Sequence, residues 1–197
     1  MPELYNPYAD TWELGDEAAK TVRNYHSVAL LMPDGRVWTA GSDVDAGHGA
    51  GPLPRADARN LDIEIYEPWY FALPGRPYIN AAPSLAHPGE TILIRSTFAK
   101  EIVRVIVVRC GTSTHAFNPD QRMIELHFTH PLPDDDILLV TMPPTNNILV
   151  PGPYLIFTIR RPATGATPKI QQLGLPSFGT DIYVVQEPKK HPVHRHN

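Results

Sequence analysis

The sequence has one cysteine, Cys110, among its 197 residues. An internal disulfide is therefore excluded, and thiol content says little about compartment. Long apolar runs are missing as well. No stretch approaches the roughly 20 residues that span a bilayer as a helix, so no membrane association is expected. Basic clusters are lacking and the formal net charge is −4, which argues against nucleic acid as a partner. The opening residues Met1-Pro2-Glu3-Leu4-Tyr5 offer neither a basic segment nor an apolar core, so no secretory signal is expected there. Helical patterning is scarce: Asp16 to Lys20 has helical character, one turn at most.

What is abundant is punctuation. The 22 prolines and 13 glycines separate short runs rich in Val, Ile, Tyr and Thr, the pattern of an all-β protein with many turns. A hydrophobic content of 42% supports a packed core, and the length allows one large or two small domains.

Residues 2–12 read as a short strand, a turn and then Trp12. Residues 61–70 restate that opening: an alternating strand, Tyr66, an acid, Pro68 and an aromatic. With the Gly/Ala/Asp-rich stretch Ser42 to Asn60 removed, Tyr5-Asn6-Pro7 and Tyr66-Glu67-Pro68 are separated by about the 40–50 residues of a propeller blade. We read strands at 2–5, 25–31, 36–40 and 61–66, the outer strand of one blade followed by most of the next. Two unrelated strands ending in a common Tyr-x-Pro turn is the alternative. A single blade leaves faces and a strand edge uncovered. It must pack on its own sandwich, pair with another copy, or receive missing blades from another chain.

The texture changes near Leu73-Pro74-Gly75. From Arg76 onward, alternating strands are expected at Thr91–Ser96, Val103–Arg109, Met123–Phe128, Ile137–Thr141, Tyr154–Ile159 and Asp181–Val185. Turns separate them at His87-Pro88-Gly89, Asn118-Pro119-Asp120, Pro133-Asp134-Asp135, Pro143-Pro144 and Pro151-Gly152-Pro153. Such spacing is that of an immunoglobulin-like sandwich, without the Cys–Trp–Cys pattern of antibody domains. The tail from Gln186 holds His191, His194 and His196. A His-rich tract can bind metal, but a disordered terminus is the preferred reading.

Three side chains are candidates for chemistry. Tyr25 and His26 stand side by side at the mouth of an apolar run, Val28 to Met32, that turns at Pro33-Asp34-Gly35; Pro and Gly there are turn formers with a mechanism. His115 lies in a polar loop after the strand ending at Arg109. Each is weak alone. Together they permit a small site of imidazole and phenol, suited to copper among the first-row metals.

The motifs around these residues have a family likeness. Tyr25-His26-Ser27 with Leu30 to Val37 resembles the last propeller blade of the copper radical oxidases, the galactose oxidase and glyoxal oxidase family. Ile63-Glu64-Ile65-Tyr66, Pro68, Tyr70 and Arg76-Pro77 resemble its exit into the C-terminal domain. Thr114-His115 with Asn118 and Asp120-Gln121-Arg122, then Pro151 to Phe157 and Gly174-Leu175-Pro176-Ser177, follow in the family's order. The resemblance implies an all-β chain: a kelch-type propeller remnant of about one blade over 1–73, an Ig-like early set β-sandwich over 76–186, and a disordered His-containing tail over 187–197. It implies copper as cofactor, with His26 and His115 as equatorial ligands. Tyr25 is then the axial ligand and the general base that takes the substrate proton. The reaction implied is oxidation of a primary alcohol or aldehyde by oxygen, giving hydrogen peroxide. Relatives are typically secreted.

One departure weighs against activity. The family's thioether-linked Tyr-Cys cofactor draws on earlier blades, and Cys110 lies where the family has no cofactor residue. Its expected role is a buried structural thiol. The expectation is therefore a C-terminal portion of such an oxidase that keeps three copper-ligand positions and is inactive alone. A small alcohol or aldehyde would be its substrate only if other blades complete the site. The alternative is a non-catalytic binding or structural module that self-assembles through the open blade.

Overall fold

Alternation of apolar and polar residues, interrupted by Pro and Gly, produces strands almost throughout. The computed structural model describes residues 1–15, 18–42, 61–132, 136–161 and 173–187. Its strands are β1 (Glu3–Asn6), β2 (Thr11–Leu14), β3 (Val28–Leu31), β4 (Val37–Ala40) and β5 (Ile63–Tyr66), followed after a 3-10 turn (Trp69–Ala72) by β6 (Ile79–Ala81), β7 (Leu85–Ala86) and β8 (Thr91–Ser96). Then come β9 (Ile102–Arg109), β10 (Met123–Thr129), β11 (Ile137–Thr141), β12 (Gly152–Arg160), β13 (Leu175–Pro176) and β14 (Thr180–Val184). The chain is all-β, as its turn-rich composition leads one to expect. No helix among the described residues is long and apolar enough to cross a membrane.

The sandwich is built from one hydrogen-bonded path, β6-β8-β11-β10-β9-β12-β14-β7, with β13 on β12. Its two layers are joined through β10. Met123 to Leu126 pair with β9, whereas His127 to Thr129 pair with β11. The strict alternation of β8, Thr-Ile-Leu-Ile-Arg-Ser, buries Ile92, Ile94 and Ser96 and exposes the residues between them. Ile92 and Ile94 meet Leu138 and Val140 of β11, Val105 and Val107 of β9, and Tyr154 and Ile156 of β12 in the main core. Filling such a core supplies about 1.5–3 kcal/mol per large apolar side chain. In this core the Ser96 and Thr158 hydroxyls bond each other (3.2 Å), and the Thr158 amide donates to Ser177 Oγ (3.0 Å).

β12 is buried on both faces. Leu155, Phe157 and Ile159 form a second apolar cluster with Ile106, Val108 and Cys110 on the outer face, where the blade sits. That blade is the antiparallel sheet β3-β4-β5. Its first hairpin closes through Gly35, whose φ of 90° only glycine adopts readily. The Gly35 amide donates to the Met32 carbonyl (2.9 Å).

Two features differ from the strand assignments made on sequence. β1, read as the outer strand of a preceding blade, pairs with β2 (Thr11–Leu14), a strand the sequence reading did not assign. The hairpin is held locally: Asn6 Oδ1 accepts the Tyr8 and Ala9 amides, and the Tyr5 and Trp12 rings meet across the pair with centroids 4.9 Å apart. The strand expected over 25–31 starts at Val28, because Tyr25 and His26 form a turn. Ala18 to Lys20 are not helical, while Asp16 and Glu17, the Pro133-Asp134-Asp135 turn and the tail from residue 188 lie outside the described residues.

Arg76 locks blade to sandwich. Its guanidinium donates to the carbonyls of Asp34 (2.6 Å), Pro176 (3.0 Å) and Ser177 (3.1 Å), and it lies 4.3–5.1 Å from the ring centroids of Phe178, Phe71 and Tyr70. Burial pushes the Tyr70 phenol up to about 12, and its hydroxyl donates to the Gly35 carbonyl. Glycine at 179 allows the closest approach: its amide donates to the Pro33 carbonyl (2.6 Å), and a Cβ there would stand 2.7 Å from the Phe157 ring.

Candidate metal centre

Tyr25 and His26 are the central residues of a turn in which the Ser27 amide donates to the Asn24 carbonyl (3.1 Å). His26 has φ 61°, the positive value that the third position of a type II turn requires. The segment before it is pinned to the end of the blade. Arg23 donates to the carbonyls of Gly41 (2.9 Å) and Asp62 (3.0 Å) and to Glu64 (3.1 Å). Glu64 also accepts the Lys20 amide (2.7 Å), and Ser42 Oγ accepts the Asn24 amide (2.7 Å). Gly41 is a close-approach glycine, since a Cβ there would lie 2.7 Å from the His26 carbonyl oxygen. The backbone bond from Lys20, then burial in opposition, then Thr21 and Arg23 leave the Glu64 carboxyl below its ordinary value.

His115 is presented by the sandwich. Thr114 and Phe117 exchange two backbone hydrogen bonds, 3.0 and 2.9 Å, leaving His115 (φ 55°) and Ala116 (φ 63°) as the two central residues. Positive φ at both is the signature of a type I′ hairpin, here made without glycine. The base of the loop is clamped. Arg109 donates to Asp120 (2.9 Å) and to the Pro151 carbonyl (2.8 Å), and Thr112 Oγ1 donates to Asp120 (2.6 Å). The Thr112 hydroxyl and then Arg109 hold the Asp120 carboxyl below its ordinary value. Asn118 Oδ1 accepts the Thr112 and Asp120 amides. Gly111 lets the loop reach the blade, as a Cβ there would lie 2.8 Å from the Leu30 side chain.

The two turns bring the three candidate side chains together. Ring centroids are 4.0 Å apart for Tyr25–His26, 5.1 Å for His26–His115 and 5.9 Å for Tyr25–His115. All three residues are exposed. Among the described residues no group of three His, Cys, Asp or Glu is placed to hold a metal, so this site is two imidazoles and a phenol. That donor set suits copper, and its exposure leaves room for further ligands. Thr114 Oγ1 lies 2.5 Å from His115 Nδ1, an outer-shell contact of the kind that orients metal-binding histidines. Cys110 is half-buried and packs with Leu155, Phe157 and Ile159; burial, then Asp181, push its thiol up against the opposing Arg109.

Sequence reasoning named the three rings but not their supports. The roles of Gly41, Arg23, Ser42 and the Arg109–Asp120 clamp rest on contacts far apart in the chain. The one available signal was charge of opposite sign, Arg109 and Asp120, at the two ends of the His115 loop.

Comparison with known proteins gives the class first. Residues 76–170 match the family described as Galactose oxidase-like, Early set domain. Over those residues the sandwich is a galactose oxidase-like early set domain, and the chain is similar to proteins named galactose oxidase and aldehyde oxidase. Galactose oxidase of Gibberella zeae is 28% identical over 191 residues, covering 94% of this chain and 25% of that protein. Aldehyde oxidase GLOX of Vitis pseudoreticulata is 32% identical over 172 residues, 83% of this chain and 30% of that protein. A solved fungal alcohol oxidase of the AA5 family, in complex with copper, superposes with a TM-score of 0.72 at 25% identity, covering 93% of this chain and 35% of that one. The chain thus spans between a quarter and about a third of the length of these relatives.

Proposed function

We propose that this chain supplies part of a copper centre of the galactose and glyoxal oxidase kind. His26 and His115 would hold the copper through their imidazoles and Tyr25 through its phenol oxygen. The observation that carries this reading is the convergence of the three rings within 5.9 Å of one another from two separately clamped turns. Copper held there supplies one-electron redox chemistry. Tyr25 takes the proton of a primary alcohol, or of a hydrated aldehyde, on its phenol oxygen, a general-base role. The two imidazoles hold their positions because each sits in a turn fixed by its own hydrogen bonds. Oxygen is the co-reactant and hydrogen peroxide the product.

The chain alone is inactive in this reading. Its single cysteine is packed with Leu155, Phe157 and Ile159, so it does not furnish a Tyr-Cys cofactor. Propeller blades from elsewhere complete the site. Ile63 and Ile65 on β5 and Leu31 on β3 are exposed apolar residues on the blade's two outer strands, the kind of surface another strand covers. The same surface favours a second reading, a non-catalytic module that self-assembles through the blade. A monodisperse monomer in sedimentation counts against that second reading. For the first, peroxide release is assayed with Cu(II) and simple alcohols and aldehydes. The expected result is no peroxide from this chain alone, and robust turnover overturns the claim that catalysis needs residues from elsewhere.

A further inference from the structure

We propose that Asp34-Gly35 is a latent isoaspartate site that the blade hairpin holds shut. It is the single Asp-Gly pair in the sequence, which has no Asn-Gly pair. Glycine after an aspartate leaves the following amide nitrogen sterically open to the side chain. In the damaging step that nitrogen bonds to Asp34 Cγ and releases its proton, and a carboxyl oxygen leaves as water. Water then opens the cyclic imide. Opening at Cγ restores aspartate; opening at the original main-chain carbonyl carbon sends the chain through the side chain, one methylene longer. The step needs a free Gly35 amide, a protonated carboxyl and rotation of one towards the other. The hairpin withholds each of these. The Gly35 amide is committed to the Met32 carbonyl (2.9 Å). The carboxylate is turned to the next residue instead: Oδ1 accepts the Arg36 amide (2.9 Å), and Oδ2 accepts Arg36 Nε and lies 2.7 Å from a terminal guanidinium nitrogen. Burial pushes the other way, yet Arg36 keeps the Asp34 carboxyl below its ordinary value, in the unreactive ionised form. The main-chain side of the residue is fixed as well, since Arg76 donates to the Asp34 carbonyl (2.6 Å). The turn uses both residues: glycine supplies φ 90°, and the aspartate side chain bonds the amide two residues on. Rearrangement would lengthen the very turn through which Arg76 and the Gly179 amide join sandwich to blade.

The test ages the full chain in mildly acidic buffer at body temperature. Isoaspartate at residue 34 is counted by peptide mapping with electron-transfer fragmentation, which separates the two isomers. The arms are native wild type, wild type unfolded in guanidinium chloride, and native Arg36→Ala. The unfolded arm gives the unprotected rate. Native wild type is expected to isomerise about tenfold or more slowly than that, since hydrogen bonds to a charged group must break first. Arg36→Ala, checked for its fold by circular dichroism, is expected to isomerise several-fold faster than native wild type. Equal rates in native and unfolded wild type overturn the proposal, and that comparison needs no variant to fold. A folded Arg36→Ala that isomerises as slowly as wild type overturns the role given to the Arg36 side chain.

Discussion

The ring of His26 lies 5.1 Å from that of His115, although one precedes a blade strand and the other tips a hairpin of the sandwich. Each occupies a left-handed backbone position that costs a side-chain-bearing residue energy. Such positions persist only where surrounding structure over-determines them, and they cluster at functional sites. Here the over-determination is visible. Arg23, Ser42 and Glu64 fix the first turn, and Arg109, Asp120 and Asn118 fix the second. The separation of the two rings is then set by how the blade sits on the sandwich.

Gly41 tests the first turn. Alanine there has to adopt φ 70° and bring its Cβ within 2.7 Å of the His26 carbonyl oxygen. The left-handed conformation alone costs about 1–2 kcal/mol. Gly41→Ala is expected to lower unfolding free energy by about 2 kcal/mol or more and to weaken Cu(II) binding, because the clash moves His26 directly. Equilibrium denaturation and copper titration of the same variant check both effects.

Ala116 tests the second turn in the opposite sense. It holds φ 63° without being glycine. Ala116→Gly removes about 1–2 kcal/mol of steric cost and adds about 0.5–1 kcal/mol of chain entropy. A net stabilisation of about 0.5–1 kcal/mol follows, read as a raised thermal midpoint with His115 untouched.

Acid should loosen both clamps. The Lys20 amide chiefly keeps the Glu64 carboxyl below its ordinary value of 4.5, and the Thr112 hydroxyl and Arg109 keep Asp120 below 3.8. A carboxyl depressed in the folded state contributes stability that is complete above its unfolded value and lost as pH falls through the folded one. Wild-type stability is therefore expected to fall below about pH 4.5, and Asp120→Asn and Glu64→Gln should each flatten that acid limb. Thermal midpoints from pH 7 downward provide the measurement.

Legibility in the sequence followed periodicity. β8 and β11 begin and end where alternation predicts, at Thr91–Ser96 and Ile137–Thr141, because one face of each is buried and the other is wet. β12 was expected as an alternating strand over Tyr154–Ile159, but it runs Gly152–Arg160 and is buried on both faces, so alternation does not describe it. β6, β7 and β13, two or three residues each, are too short to carry a period. Tyr25 and His26 were read into a strand since neither residue type announces a positive φ as glycine does. Likewise, nothing local in Thr114-His115-Ala116-Phe117 marks a type I′ turn. The ring cluster itself was out of reach of residue-level reading and rested on family likeness, as it depends on docking between blade and sandwich.

That docking has its own test in Arg76. It serves three carbonyls and stacks among three aromatic rings. Hydrogen bonds from a charged group contribute about 1.5–3 kcal/mol each in favourable cases, so Arg76→Ala is expected to cost about 3 kcal/mol. Arg76→Lys should recover only part of this, lacking the planar fork. Urea denaturation gives the stability, and a loss within error of zero would show that the blade is held by other contacts.

The most direct measurement is Cu(II) binding stoichiometry by calorimetry, with electron paramagnetic resonance to count nitrogen ligands. It compares wild type, His26→Ala, His115→Ala and a chain shortened after Glu187. The account predicts one copper with two imidazole nitrogens in wild type and in the shortened chain, and loss of that copper in either histidine variant. Copper that persists in both variants and disappears with the tail would contradict it.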